Sequence, residues 1–349
     1  MIIIATHQVA GPQYLLPLLD RWRQAGAPEP WLVFAEGKSV EMWREAGIEP
    51  LLAGDPVSPW GSLHPNLIIA GASGQSQLEI SCIRAAAASR IPSLQFLDHW
   101  VNSRERFLDE DGQPVLPDEI LAIDAQDARL LSGAFPAARV VVVGQPAWET
   151  SLRLTTNLAG ARTLTCILSQ PIRHFYGRRL GFDQWDFLDL SLDAMRGRSN
   201  VVVSLHPEDP EEIGAWIQST FPAVRVQRGI TNATIARAHT VVGMFSSAMV
   251  IAYLAGCRTV SMQPAEGEIL CPLVRRGWIP LVRDAASLRR QLEMPYPYPA
   301  WPCAPGWLRG STERLDAHLR ARLGNGQRIT EPPAPCPLSG MGPAVVRVS

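Results

Sequence analysis

The sequence has almost no lysine and no closely spaced cysteines. Of its 32 basic residues only Lys38 is a lysine, which we attribute to the codon usage of a GC-rich genome rather than to a requirement for binding anions. Its six cysteines are never closer than fourteen residues apart. This spacing excludes C-x-x-C zinc and redox motifs and the disulfide framework of a small secreted domain. We expect reduced, structural cysteines.

Long apolar runs are also missing. The longest, such as 248–257, reach about ten residues, whereas a membrane-spanning helix needs roughly 20. Residues 1–7 have no basic region before their apolar run and turn polar after Ala5, so they predict a buried first strand rather than a signal peptide. We expect no transmembrane segment and a cytoplasmic location, with peripheral membrane contact left open.

The sequence also lacks an excess of charge of either sign. Its 32 basic and 33 acidic residues nearly cancel. It contains no basic run with interleaved aromatic residues of the kind that binds a nucleic-acid phosphate backbone, so nucleic acid is not an expected partner. Hydrophobic residues make up 46% of the chain and charged residues 19%, which is typical of a folded protein. A length of 349 residues exceeds the usual single domain and favours two.

The chain alternates short β-branched strands with helical patterns in two successive series. We predict strands in the first series at 1–6, 31–35, 49–52, 67–70, 94–97, 120–123 and 139–143, and in the second at 164–168, 201–205, 224–227, 240–242 and 259–262. Helices between parallel strands cover both faces of a sheet. The sequence therefore predicts an α/β protein with two Rossmann-like, doubly wound domains facing a cleft.

The polar stretch 151–161 separates the two series and is the predicted connection between the two domains. It divides the chain into an N-terminal domain, 1–150, and a C-terminal domain, 151–323. The composition of the last residues predicts a disordered tail, 324–349. Two doubly wound domains usually bind a ligand between the carboxyl ends of their strands, so candidate residues are those that follow strands.

A histidine leaves the second sheet at the end of the strand 201–205. Pro207 holds His206 in an extended backbone conformation, which fixes the imidazole at the crevice. The next helix has its own acidic cap, Asp209 with Glu212, so an anion would meet His206 rather than that helix end. The alternative is that His206 only satisfies a loop carbonyl.

A glycine turn and two serines precede the helix that begins near residue 247. Gly243 ends a buried strand, and Ser246 and Ser247 follow with no acidic residue after them. Backbone N–H groups, the positive helix end and two hydroxyls then converge on one spot, which suits a phosphate. An ordinary N-cap is the alternative.

The pair of motifs His206-Pro207 and Ser246-Ser247 resembles GT-B-fold transferases with cytidine-nucleotide donors, namely bacterial sialyltransferases, Kdo-type capsule transferases and CDP-glycerol glycerophosphotransferases. The resemblance in architecture covers roughly residues 1 to 323. It implies that His206, Ser246 and Ser247 hold the donor phosphate. The helix 248–256 with the strand after it also resembles that of the nucleotide-sugar 2-epimerases.

Two acidic residues are candidates for a general base. The sialyltransferases carry theirs in an acidic pair followed by glycine, and Glu110-Asp111-Gly112 matches those letters, but in a turn. Asp98 instead closes the predicted strand 94–97, beside His99, where a carboxylate is placed to accept a proton from an acceptor hydroxyl. We predict Asp98 and His99 as catalytic, with Asp111 as the alternative base and turn capping as the alternative role of Asp98.

Five further residues are candidates for substrate binding by position alone: His7, Ser73, Gly74, Gln145 and His174. Ser73-Gly74 could instead form a plain tight turn. Gln145 could belong to an interdomain linker, and His174 to a solvated loop. The letters D-x-D occur at 109–111, but GT-B enzymes generally stabilise the leaving phosphate with protein groups. We expect no metal and no cofactor besides the activated sugar substrate.

These expectations combine into a bacterial, metal-independent GT-B glycosyltransferase of surface-polysaccharide biosynthesis. It would move a sugar, or a nonulosonic or Kdo-like acid, from a nucleotide-activated donor (CMP or another nucleotide) on its C-terminal domain. The carbohydrate or glycoconjugate acceptor would bind the N-terminal domain. Two alternatives remain: a 2-epimerase or hydrolase, which needs additional acid/base carboxylates, and a non-catalytic GT-B-like binding protein.

Overall fold

The computed structural model describes residues 1–52, 63–73, 77–158, 160–295 and 305–324, which form two separate parallel sheets. The first has the spatial order β3-β2-β1-β4-β5-β6-β7 and consists of β1 (Ile2–Thr6), β2 (Trp31–Ala35), β3 (Leu51–Leu52), β4 (Leu67–Ala70), β5 (Ser93–Phe96), β6 (Glu119–Ala122) and β7 (Arg139–Val142). The second has the order β10-β9-β8-β11-β12-β13 and consists of β8 (Leu164–Leu168), β9 (Val201–Leu205), β10 (Arg225–Arg228), β11 (Ala238–Gly243), β12 (Arg258–Met262) and β13 (Leu281–Val282).

Helices connect the strands and cover both faces of each sheet. Those of the first half are α1 (Ala10–Ala25), α2 (Ser39–Glu45), α3 (Gln77–Ser89), α4 (Ala125–Ala134) and α5 (Pro146–Asn157). Those that follow are α6 (Ile172–Tyr176), α7 (Gln184–Ala194), α8 (Glu211–Thr220), α9 (Asn232–Arg237), α10 (Ser247–Leu254), α11 (Pro272–Arg275), α12 (Ala285–Glu293) and α13 (Ser311–Gly324). The predicted α/β class with two doubly wound sheets is confirmed.

The strand β1 shows why apolar runs form these sheets. Ile2 and Ile4 pack into the core on one face, whereas Ile3 and Ala5 pack into a separate core on the other. A strand covered by helices on both faces has no solvent side, so its sequence is continuously apolar rather than alternating.

The crossing between the sheets contains a helix, α5, that the sequence did not predict. The Gln145 side-chain oxygen accepts hydrogen bonds from the backbone N–H groups of Ala147 and Trp148, at 2.8 and 3.2 Å, and so caps the helix. Trp148, Leu152 and Thr155 are buried at helical spacing. The polar stretch 151–161 therefore begins inside an amphipathic helix, and β8 follows it.

The helix α13 returns to the first sheet. Leu315 and Leu319 are fully buried in the core that α1 covers, and Asp316 accepts a hydrogen bond of 2.7 Å from the Trp22 indole of α1. These contacts place 311–324 against the first half of the chain, although the predicted domains assign most of it to the second. The division at residue 150 stays a prediction. The predicted tail 324–349 lies outside the described residues except for Gly324, which ends α13. Within the described ranges, each helix is too short or too polar to span a bilayer.

Candidate active site between the two sheets

Each sheet reverses its strand order at one point, and loops from both points come together. The first sheet reverses between β1 and β4, and the second between β8 and β11. In open α/β sheets, ligands bind in the crevice at the carboxyl ends of strands beside such a point. Phe175, in the helix after β8, lines a cavity whose other lining residues all belong to the first half of the chain.

The larger of two adjoining cavities has a volume of about 770 Å³ and is lined by both halves of the chain. Asp98 and Gln145 line it from the first sheet, and Ser247 and Ala248 line it from the start of α10. This volume lies within the 300–1,000 Å³ that is usual for small-molecule sites.

The smaller cavity, of about 230 Å³, lies at the reversal point of the first sheet. Residues after β1, β4 and β5 line it, including Gln8, Ser73, Asp98 and Arg106, together with Glu79 of α3 and Phe175. Asp98 and Ala10 line both cavities, so the two spaces are adjacent.

Asp98 lies where the sequence placed it, just after β5, and has a partner that the sequence did not indicate. Its Oδ1 pairs with the Arg106 guanidinium. Arg106 also donates to the carbonyl oxygens of Ala72 and Val101, at 2.9 and 3.0 Å. The carboxylate is therefore held in one orientation while its side chain remains 22% exposed.

The alternative base, Asp111, lies in an exposed turn and lines neither cavity. Its backbone N–H donates to Asp109 Oδ1 at 3.0 Å, while Glu110 accepts from the Gln77 amide at 2.7 Å. Gly112 has a φ of +73°, which closes the turn. The geometry favours Asp98 over Asp111.

His99 belongs to an aromatic cluster rather than to the cavity lining. It is 8% exposed, its ring contacts those of Trp148 and Trp100 edge-on, and its Nδ1 accepts from the Val101 N–H at 3.2 Å. Burial lowers the pKa of His99 to about 4, so the ring stays neutral. These contacts favour a packing role, and the predicted catalytic role of His99 has no support from its position.

Glu79 is the functional candidate that sequence reasoning missed. It is 2% exposed, and it accepts hydrogen bonds from the backbone N–H groups of His7 (3.1 Å) and Ser73 (2.8 Å). Burial raises its pKa to about 7, against the lowering effect of the bonds from Ser73 and His7. In sequence it is an ordinary acidic residue in the first turn of a helix, so no pattern marked it.

His206 follows β9 as predicted and is half-buried. Its Nδ1 accepts from the Glu208 N–H at 3.2 Å, which leaves Nε2 as the protonated nitrogen of a neutral ring. Burial lowers the pKa of His206, opposed by Asp209. Arg228 donates to three carbonyl oxygens of this loop, those of His206, Pro207 and Asp209, and so fixes its shape.

One ion pair joins this loop to the first half of the chain. Lys38, at the start of α2, pairs with Glu208, two residues after His206. The only lysine of the sequence thus approaches the predicted phosphate-binding histidine. His206 itself lines neither cavity.

The serine motif forms the predicted turn before α10. The Ser246 hydroxyl caps the helix by accepting from the Ala248 N–H at 3.2 Å, whereas Ser247 is exposed and lines the larger cavity. A Cβ at Gly243 would lie 2.8 Å from Met249 Sδ, so glycine lets the helix pack closely on β11. No acidic residue stands in the first turn of α10.

The remaining candidates differ in position. Ser73 lines the smaller cavity and Gln145 the larger. The Gln145 amide N–H donates to the Asp98 carbonyl oxygen at 2.9 Å, so this side chain fixes the loop that carries Asp98. His7 packs against Gly37, and His174 is exposed; neither lines a cavity. Gly74 lies outside the described residues.

The described part of the chain contains no group of three or more histidine, cysteine or acidic residues that could hold a metal ion.

No protein-family model matches the chain, and no curated protein matches its sequence. Among solved structures, S. aureus MnaA with UDP superposes with a TM-score of 0.69 at 13% identity, covering 95% of this chain and 98% of that one. UDP-GlcNAc 2-epimerase from Neisseria meningitidis, bound to UDP-GlcNAc, gives 0.64 at 12% identity, with 91% and 99% covered. The spinosyn rhamnosyltransferase SpnG gives 0.52 at 12%, with 93% and 96% covered. The chain has the GT-B fold that such enzymes share.

Proposed function

We propose that the protein is a GT-B enzyme that acts on a nucleotide-activated sugar, and that its reaction is glycosyl transfer. The observation that carries this proposal is that Asp98 and Ser247 line one cavity between the sheets. Asp98 is a fixed carboxylate at the end of β5, and Ser247 begins a helix with no acid in its first turn. One cavity therefore offers a proton acceptor and an anion-binding helix end.

In this proposal the acceptor hydroxyl attacks the anomeric carbon while the bond from that carbon to the nucleotide phosphate oxygen breaks. Asp98 accepts the hydroxyl proton through Oδ2, because Oδ1 is paired with Arg106. The positive N-terminal end of α10, with the Ser247 hydroxyl, stabilises the negative charge that develops on the leaving phosphate. The Nε2–H of His206 is the further donor that the motif resemblance implies.

The nucleotide is part of the proposal. UDP is the first candidate, because MnaA and the N. meningitidis epimerase have the same fold and were solved with UDP and UDP-GlcNAc. The motif resemblance to sialyltransferases favours CMP instead, so both belong in a binding panel. A surface-carbohydrate acceptor and a cytoplasmic location remain part of the same hypothesis.

A second candidate function, 2-epimerisation of the nucleotide sugar, is favoured by one observation. Glu79 and Asp98 line the same small cavity, which supplies a second carboxylate that the sequence did not reveal. Removing a proton from a sugar carbon and returning one to its other face requires groups that exchange protons, and a carboxyl with a pKa of about 7 suits that role near neutral pH.

The reaction in D₂O separates the two functions. With UDP-GlcNAc and the wild-type protein, epimerisation breaks and remakes the C2–H bond and therefore introduces deuterium at C2, which NMR detects. Glycosyl transfer leaves C2 unlabelled and releases UDP at a rate that increases with added acceptor. If neither deuterium at C2 nor released UDP is detected, the result supports the non-catalytic alternative.

Nucleotide affinity tests the phosphate site itself. We expect His206→Ala to weaken UDP or CMP binding about 10- to 150-fold, the worth of a hydrogen bond to a charged group, as measured by calorimetry. His64→Ala is the matched control, because His64 is an exposed histidine that lines neither cavity. Equal affinities in wild type and His206→Ala would refute the assignment of His206.

A further inference from the structure

The smaller cavity combines an aromatic ring from one half of the chain with polar groups from the other. Phe175 comes from α6 and is 46% exposed, although it is a large apolar side chain. The facing wall contains Gln8, Ser73, Asp98 and Arg106. The two walls belong to different sheets, so the cavity exists only when both are in place.

The charges of this wall disfavour an anion. Arg106 is the cation of the lining and is already paired with Asp98. Glu79 adds a second acidic group, whose oxygen lies directly against the Gly71 backbone, where any Cβ would clash with it. A phosphate would meet no unpaired positive charge here and would be repelled by the carboxylates.

The polar groups also disfavour a purely apolar ligand, because covering them without hydrogen bonds costs free energy. The volume, about 230 Å³, is below the usual range for a site that holds a whole small-molecule ligand. The occupant that fits is a small, uncharged ring that carries several hydroxyl groups and one apolar face.

We propose that the smaller cavity binds one sugar ring of the substrate, with Phe175 against the C–H face of the ring and Gln8, Ser73 and the Asp98–Arg106 pair on its hydroxyls. This inference rests on the proposed function and extends it to the sugar-recognition site. The ring has two sources of identical chemistry, the sugar of the donor or that of the acceptor. In either case it lies beside Asp98, which lines both cavities.

Comparing UDP with UDP-GlcNAc by calorimetry isolates the contribution of the sugar. If the donor sugar occupies the cavity, Phe175→Ala weakens UDP-GlcNAc about 3- to 10-fold, the usual worth of an aromatic contact, and leaves UDP unchanged. If an acceptor sugar occupies it, both affinities stay the same and the variant weakens free N-acetylglucosamine binding to the UDP-saturated protein, as measured by saturation-transfer NMR.

Leu130→Ala is the matched control, since it removes another exposed apolar side chain that lines neither cavity. Glu79→Gln changes the polar wall of the cavity and is measured in the same assays. If Glu79→Gln does not fold, the result for Phe175→Ala alone decides whether the cavity binds a sugar ring. Wild-type binding of UDP with no effect of Phe175→Ala on either sugar ligand would overturn this inference alone. Failure of the wild type to bind any nucleotide would overturn the proposed function as well.

Discussion

Asp98 and Asp111 are both aspartates in loops of the first half, yet their surroundings differ. Asp98 is held by Arg106 and lines both cavities, whereas Asp111 is exposed in a turn. We expect Asp98→Asn to lower turnover by about 10² to 10⁴, the usual worth of a general base, while nucleotide binding stays nearly unchanged. Asp111→Asn should have little effect on either quantity. Steady-state kinetics and calorimetry on both variants check this, and an essential Asp111 beside a dispensable Asp98 would contradict it.

Glu79 gives the stability of the protein a defined pH dependence. Burial raises its pKa from 4.5 to about 7, so between these values the native state holds a proton that the unfolded state has lost. Stability therefore falls as the pH rises from about 4.5 to 7, by up to about 3 kcal/mol. Glu79→Gln should remove this contribution, which urea unfolding at pH 5 and pH 8 measures.

The control for that measurement is Glu45→Gln, which removes an exposed carboxyl of α2 and should leave the pH dependence of unfolding as in wild type. If Glu79→Gln retains the wild-type difference between pH 5 and pH 8, Glu79 is ionised throughout and does not exchange protons near neutrality.

The sequence could predict where the candidate residues lie in the fold, and it could not predict their partners. Asp98, His206 and Ser246 each follow a strand as the sequence indicated, because parallel strands end at one edge of a sheet, which sequence patterns reveal; their roles stay predictions. Arg106 and Glu79 were missed because their roles come from burial and from contacts with distant loops. The sequence also does not show that His99 packs against Trp100 and Trp148, and its catalytic role stays a prediction.

Among the elements, the buried strands were predicted to within one or two residues, because continuous β-branched runs between glycine and proline turns are specific for strands. The helix α5 was missed because its cap is a glutamine, outside the Ser, Thr, Asp and Asn set that usually marks a helix start. The short strand β13 and the helix α11 pack through contacts that no local pattern indicates.

The end of α11 and the start of α4 are joined across the two halves by Arg276. Its guanidinium lies 3.0 Å from Asp124, with both side chains 7% exposed, and stacks on Trp100 at 4.2 Å. Breaking a buried pair leaves an unpaired charge, so we expect Arg276→Ala to lower the free energy of unfolding by about 3 to 5 kcal/mol. The free energy of unfolding of Arg276→Lys should lie between those of the wild type and Arg276→Ala, because lysine keeps the charge and loses the planar stacking.

Arg275→Ala is the control for chemical denaturation of these variants. The neighbouring Arg275 pairs with Glu268 on the surface, and such exposed pairs contribute less than about 1 kcal/mol. Equal losses in Arg275→Ala and Arg276→Ala would show that the contact between α11 and α4 does not hold the two halves together.

At the scale of the whole molecule, the chain closes on itself, because α13 packs on the first sheet after the second is complete. The sequence-based division assigns most of this helix to the second half, and no local pattern indicates which of the two halves it packs on. Asp316 decides between them by accepting from Trp22, at 2.7 Å, and Arg21, at 3.0 Å, both in α1. Within the described residues, α13 thus joins the segment that follows the second sheet to the core of the first.

Leu319 tests this closure because it is fully buried in the core of the first sheet. Leu319→Ala should lower the free energy of unfolding by about 2 to 5 kcal/mol. Hydrogen exchange should accelerate in β1 and α1 more than in β8 and β9, because the lost contacts belong to the first half. Leu323→Ala, at a half-buried position of the same helix, should have a smaller effect. Faster exchange confined to the second sheet would show instead that α13 belongs to the C-terminal domain in solution, as the sequence-based division at residues 151–323 assumes.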